Sequence, residues 1–151
     1  MSIENDIHQT KFNSEYHKMS VNLIYTYNWM NEKTKMILDR CDITSQQFNI
    51  LRILRGAGEP LSTLQIRQRM LDKMSDSSRI VDRMVKKGLV KKVVCKSDKR
   101  LVDITITDKG TSMLQELDQY EHEMDGILKN LSQAEAETLN ALLDKIRSSE
   151  V

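Results

Sequence analysis

Two short polar runs carry the groups best suited to chemistry. Ser75-Asp76-Ser77-Ser78-Arg79 offers hydroxyls and one planar guanidinium, and Lys96-Ser97-Asp98-Lys99-Arg100 gathers cations around a single carboxylate. Hydroxyls and fork-shaped donors suit anions and hydrogen-bonding edges rather than bond-breaking by themselves. The groups an enzyme would need are missing from the pattern. There is no phosphate-cradling Gly-rich loop, no glycine-rich nucleotide fingerprint and no His-Glu-x-x-His, so no catalytic residues, cofactor or metal are expected. His8, His17 and His122 have no cysteine nearby, and Glu121-His122-Glu123 reads as a surface run on a helix.

Charge places those two runs in a distinct part of the chain. From Thr44 to Gly110 there are fifteen Lys/Arg against seven Asp/Glu, a surplus of +8, while the flanks hold eight basic and fifteen acidic residues, a deficit of −7. A basic centre between acidic flanks points to a central face that meets an anion. At 151 residues the chain has the size of one domain. With 39% hydrophobic and 30% charged residues and no apolar run of membrane-spanning length, it is expected to fold away from membranes. The first residues lack the basic start and apolar stretch of a signal peptide, which predicts a cytoplasmic location. Cys41 and Cys95 are too sparse for a disulfide framework.

The elements that position these runs are mostly helical, as five glycines and one proline allow. Residues 1–10 are polar and read as frayed. From about Lys11 to Asp39, Tyr16, Leu23, Met30 and Ile37 recur every seven positions, with Met19, Tyr27 and Leu38 beside them, which predicts one long helix with a narrow apolar stripe. Thr44/Gln47, Ser62/Gln65 and Ser132/Glu135 have capping-box spacing, and Ile43 with Phe48 and Leu61 with Ile66 have staple spacing. A third short helix runs from Ser75 or Asp76 to Lys87, burying Ile80, Val81, Met84 and Val85, and Gly88-Leu89 fits a Schellman ending. One of Ser75 and Asp76 caps it.

The period then switches to two. Leu89–Val94 and Leu101–Ile106 read as strands of a β-hairpin around the cationic loop. A long helix follows from Thr107 or Asp108 through Met113, Leu117, Tyr120, Met124, Ile127 and Leu131, and a last one carries Leu139, Leu142, Leu143 and Ile146. Gly126, costing about 1 kcal/mol relative to Ala in a helix, marks either a bend or a close contact. Three striped segments exceed what one small module can cover, so a homodimer joined through the chain ends is predicted, with Tyr16, Leu23, Leu139, Leu142, Leu143 and Ile146 at its interface.

Three helices followed by a hairpin, all basic, is the order of a winged helix-turn-helix, and here the resemblance becomes specific. Phe48-x-x-Leu51, Leu61-Ser62, the run Arg79-Ile80-Val81-Asp82-Arg83-Met84 leading to Gly88-Leu89-Val90, Asp98-Lys99-Arg100 and Ile106-Thr107-Asp108-Lys109-Gly110 stand in order. Together they resemble the MarR family of bacterial transcription regulators over residues 43–110. The expected fold is mainly α with a small β-hairpin. Within one structural domain, an N-terminal dimerisation helix (1–42) and C-terminal dimerisation helices (111–151) flank the DNA-binding region (43–110).

The resemblance implies a dimeric, sequence-specific DNA-binding regulator, an effector-released repressor, acting on an inverted-repeat operator in double-stranded DNA. A recognition helix puts its N-terminal residues against base edges in the major groove, which makes Ser75, Asp76, Ser77, Ser78 and Arg79 the candidates. Arg79 is suited to guanine unless it pairs with Asp76 or Asp82. At the wing, Lys96, Lys99 and Arg100 are placed to reach the backbone or the minor groove. By the family's pattern Arg100 is the minor-groove residue and Asp98 orients the wing. Lys99 stands where the family more often has arginine, keeping the charge but not the fork.

Family members also bind small effectors near the junction of their two parts, and Tyr27 and Met30 are candidates for lining such a pocket, although a Met/aromatic stripe at this spacing also reads as core. Oxidant-sensing relatives use a cysteine near the start of the first helix, where this chain has none. Lysines around Cys95 keep that idea open there. The alternative function is a winged-helix protein–protein interaction module without DNA binding.

Overall fold

The computed structural model describes residues 1–94, 96–98 and 100–148. Its chain order is α1 (Ile3–Asp6), α2 (Glu15–Leu38), a 3-10 turn at Asp39–Cys41, α3 (Ser45–Ala57), β1 (Leu61–Ser62), α4 (Thr63–Arg69), α5 (Ser77–Lys86), β2 (Val90–Val94), β3 (Val102–Ile106), α6 (Asp108–Asp118), α7 (Glu121–Gly126) and α8 (Gln133–Arg147). The mainly helical fold with a small hairpin is the one expected. No helix among the described residues is long and apolar enough to cross a membrane.

Local chemistry sets most of these boundaries. All three predicted capping boxes form, with Thr44, Ser62 and Ser132 each accepting from the backbone N–H three residues on, while Gln47, Gln65 and Glu135 return the bond. Each cap is worth roughly 1 kcal/mol. Helix α2 begins later than its apolar pattern suggests, because Ser14 caps it by accepting from the His17 N–H. The turn after α5 is a Schellman ending. Gly88 adopts φ 75, its N–H donates to the Val85 carbonyl, and the Leu89 N–H donates to the Met84 carbonyl, both at 3.0 Å.

The hairpin is part of a three-stranded antiparallel sheet in the order β1-β3-β2. Val90 faces Ile106 and Val94 faces Val102 across β2 and β3, while Leu61 faces Ile104 across β1 and β3. Strand β1 was not foreseen. Two residues are too few to show a period, and only its pairing with β3 makes it a strand. The core lies between the sheet and helices α3 to α6, with Ile50, Leu51, Leu61, Ile66, Met84, Leu89, Ile104 and Leu114 fully buried.

Gly110 is where the start of α6 approaches the Gly88-Leu89 turn. A Cβ there would stand 2.3 Å from the Leu89 carbonyl oxygen and 2.8 Å from Ile106 Cγ1. Thr107 locks the same junction. Its hydroxyl donates to the Gly88 carbonyl at 2.5 Å and accepts from the Gly110 N–H at 3.1 Å, and its own N–H reaches the Leu89 carbonyl. The Thr-x-x-Gly motif is thus a joint between the wing and α6.

Several expectations need correction, among them Val85, expected in the buried stripe of α5 but exposed. The start is not frayed: Ile3 is buried and Glu4 pairs with Lys18, an interaction that holds the Glu4 carboxyl down to about 2. The long helix after Thr107 is not continuous. It breaks at Gln119-Tyr120, where the Gln119 and Tyr120 N–H groups reach back only three residues, and residues 127–131 form turns before α8. Arg40 gathers the break, with its guanidinium 2.6 Å from Glu123 and over the Tyr120 ring at 5.1 Å. Glu123 is therefore an ion-pair partner and not merely a surface charge. At Gly126 no atom lies within 4 Å of a built Cβ, so the glycine ends α7 without making a close contact.

Two apolar faces remain uncovered in the chain by itself. On α2, Tyr16 is 80% exposed and Leu23 is exposed as well. Helix α8 buries none of its fifteen residues, and Leu139, Leu142 and Ile146 all stand exposed on it, with Leu143 partly covered.

Candidate nucleic-acid interface

Helix register sorts the first polar run into two sets. Asp76 caps α5, its Oδ1 accepting from the Arg79 N–H at 3.2 Å. Ser77 then falls in line with Ile80, Val81 and Met84, the buried stripe, and is itself buried. Ser75 occupies the position before the cap, where a staple residue turns inward, and is buried too. Neither hydroxyl has a hydrogen-bond partner among the described residues. Ser75 and Ser77 are therefore withdrawn from the set that faces outward. Ser78 and Arg79, one and two positions round the helix, are exposed.

Asp76 is exposed as well, but one carboxylate oxygen is committed to the cap. Arg79 Nε lies 3.9 Å from the other, and both side chains are largely open to solvent. The Arg79 guanidinium is thus steered loosely, with its donors available. Asp82 does not compete for it. Asp82 pairs with Lys92 on β2, which holds its carboxyl below the ordinary aspartate value, chiefly through that hydrogen bond. The pair links the outer face of α5 to the first wing strand.

At the wing tip, Asp98 organises Arg100. One carboxylate oxygen accepts from the Arg100 backbone N–H at 3.0 Å and from its Nε at 3.2 Å; the other lies 3.4 Å from a terminal guanidinium nitrogen. These bonds lower the Asp98 pKa, the side-chain bond to Arg100 most of all, keeping Asp98 ionised in neutral solution. The Arg100 side chain is 91% exposed and Lys96 is exposed. Lys99 and Cys95 lie outside the described residues.

Other cations in the basic segment do structural work. Lys87 donates to the Asp42 carbonyl and lies 3.4 Å from Gln47 Oε1. Lys73 donates to the Gln68 carbonyl, and Lys109 to the Lys87 carbonyl. A cleft of about 500 Å³ opens between α4 and the start of α5, lined by Thr63, Leu64, Arg67, Met74 and residues 75–78. Its apolar members Leu64 and Met74 were missed from sequence, because they stand off the helical stripes and look like turn filler.

The remaining candidates sit apart from this face. Tyr27 is exposed and Met30 half-buried on α2. Cys41 is buried, and burial together with the neighbouring Glu116 carboxylate raises its pKa, which keeps it a thiol and a poor nucleophile. Among the described residues, no group of three or more His, Cys, Asp or Glu could hold a metal ion.

Comparison with known proteins agrees with this geometry. A family model described as "MarR family" matches residues 42–101. The multiple antibiotic resistance protein MarR of Salmonella typhimurium is 28% identical over 131 residues, 82% of this chain and 88% of the relative. The regulator PecS of Dickeya dadantii is 28% identical over 114 residues, 73% of this chain and 68% of the relative. A cysteine-to-serine mutant of MarR from E. coli, solved with operator DNA, superposes with TM-score 0.81 at 24% identity, covering 91% of this chain and 99% of that one. The organohalide-sensing regulator RdhR bound to 2,4-dichlorophenol superposes with TM-score 0.82 at 20% identity, covering 92% and 85%.

Proposed function

We propose that this chain is a DNA-binding transcription regulator of the MarR family, acting as a homodimer that sets two copies of α5 into successive major grooves of an inverted-repeat operator. The observation that carries the reading is the outward set of Ser78 and Arg79 on α5, with Arg100 and Lys96 on a wing coupled to that helix through Asp82 and Lys92. In this account Ser78 and Arg79 meet base edges or phosphates, and Arg100, aimed by Asp98, enters the minor groove. Lys99, next to Arg100 in the sequence, adds a further positive charge.

Residues 1–42 and 111–151 serve dimerisation and residues 43–110 serve DNA. The exposed apolar residues of α2 and α8, Tyr16, Leu23, Leu139, Leu142 and Ile146 among them, supply the dimer interface. The protein works in the cytoplasm, where its DNA is, and catalyses no reaction. A small effector releases it from DNA. That part draws support from a structural relative solved with a chlorophenol, and Tyr27 and Met30 on α2 are the residues taken to line the effector pocket.

Selecting binders from a pool of random duplexes with the purified protein tests this reading. The expected product is an inverted repeat with half-sites about one helical turn apart. Failure to retain any duplex at low salt would favour a winged-helix module that binds protein.

A further inference from the structure

The face that carries Ser78 and Arg79 also carries apolar groups that nothing among the described residues covers. Met74, in the turn between α4 and α5, is 92% exposed, and Leu64, in the first turn of α4, is 63% exposed. Both line the same cleft as Ser78. The turn that presents Met74 is fixed by hydrogen bonds. The Met74 N–H donates to Asp72 Oδ1 at 2.9 Å, the Ser75 N–H donates to the Asp72 carbonyl at 3.2 Å, and the Leu71 N–H donates to Asn49 Oδ1 at 3.0 Å. Exposed Met and Leu side chains lining one cleft offer a patch to an apolar partner.

The surroundings say what kind. The cleft is edged by Arg67, and its segment of the chain holds the +8 surplus, so a polyanion fits it better than the apolar face of another protein. The apolar group that a duplex shows in its major groove is the C5-methyl of thymine. Methionine, unbranched and flexible, adapts well to such a small target. We propose that Met74 and Leu64 read thymine methyl groups beside the positions met by Ser78 and Arg79, and so help set the operator preference of this chain. The inference rests on α5 being the recognition helix.

The test uses the full-length protein and the duplex recovered by selection, with each thymine replaced in turn by deoxyuridine. That change deletes one methyl and keeps every hydrogen-bonding group. Wild-type protein is expected to lose about fourfold in affinity at one or more thymines in each half-site, the value of one buried methyl group. Met74→Ala or Leu64→Ala protein, altered only at an exposed side chain, should bind the parent duplex more weakly and no longer sense the loss of those methyls. Wild-type indifference to deoxyuridine throughout, or an unchanged penalty in both variants, overturns the inference while leaving DNA binding standing. A selected half-site without thymine also overturns it. Wild-type protein that binds no duplex overturns the recognition-helix reading first, and this inference with it.

Discussion

Ser77 and Ser78 are adjacent and chemically identical, yet one is sealed inside and the other faces out. The difference is one helical step of about 100°. The signal was present in the sequence: counting back from Met84 and Val81 by seven and four lands on Ser77 and not on Ser78. Reading the run as one polar patch missed it, because small hydroxyl residues carry no hydropathy signal of their own. Arg100 stands 91% exposed at the wing tip, held by Asp98. Arg100→Ala should weaken operator binding and reduce the salt dependence by about one counterion, as measured by titrations across ionic strength. Asp98→Ala should leave the salt dependence nearly intact while loosening the aim of Arg100, so that affinity falls less than with Arg100→Ala. Equal affinity for both variants and wild-type protein would remove the wing tip from the interface.

Among elements, those defined by local chemistry were legible, and those defined by tertiary pairing were not. The capping boxes at Thr44, Ser62 and Ser132 and the Gly88 ending announce themselves within a few residues. Strand β1 exists only because β3 lies beside it. The break between α6 and α7 was hidden for a different reason. The apolar stripe through Met113, Leu117, Tyr120 and Met124 continues across it, while Arg40, eighty-three positions from Glu123, helps hold the bent arrangement.

The joint between wing and α6 makes a stability prediction at this scale. Gly110→Ala would force a methyl against the Leu89 carbonyl oxygen and should cost about 1–3 kcal/mol, typical of overpacking. Gly126→Ala meets open space and should be neutral or stabilising by up to about 1 kcal/mol. Denaturant midpoints at unchanged m-value would report both. A Gly110→Ala protein as stable as wild type would contradict the close approach.

At the scale of the whole molecule, a fifteen-residue helix with no buried residue does not hold itself in place. The apolar spacing of α2 and of the C-terminal segments showed from sequence alone that something must cover them; it could not show that α8 stands clear of its own core. Sedimentation is expected to give twice the 17.5 kDa chain mass, and Leu142→Asp should shift the equilibrium toward monomer and weaken operator binding with it. A wild-type monomer at micromolar concentration would contradict the dimer.

A dimer with two rigidly placed reading heads can engage only half-sites on the same face of the helix. The most direct measurement is therefore affinity for the selected operator with about 5 bp, half a helical turn, inserted between its half-sites. The insertion should lower affinity to the level of a single half-site, and about 10 bp should recover at most part of the loss. Undiminished binding to the half-turn insertion would contradict two coupled heads on one duplex.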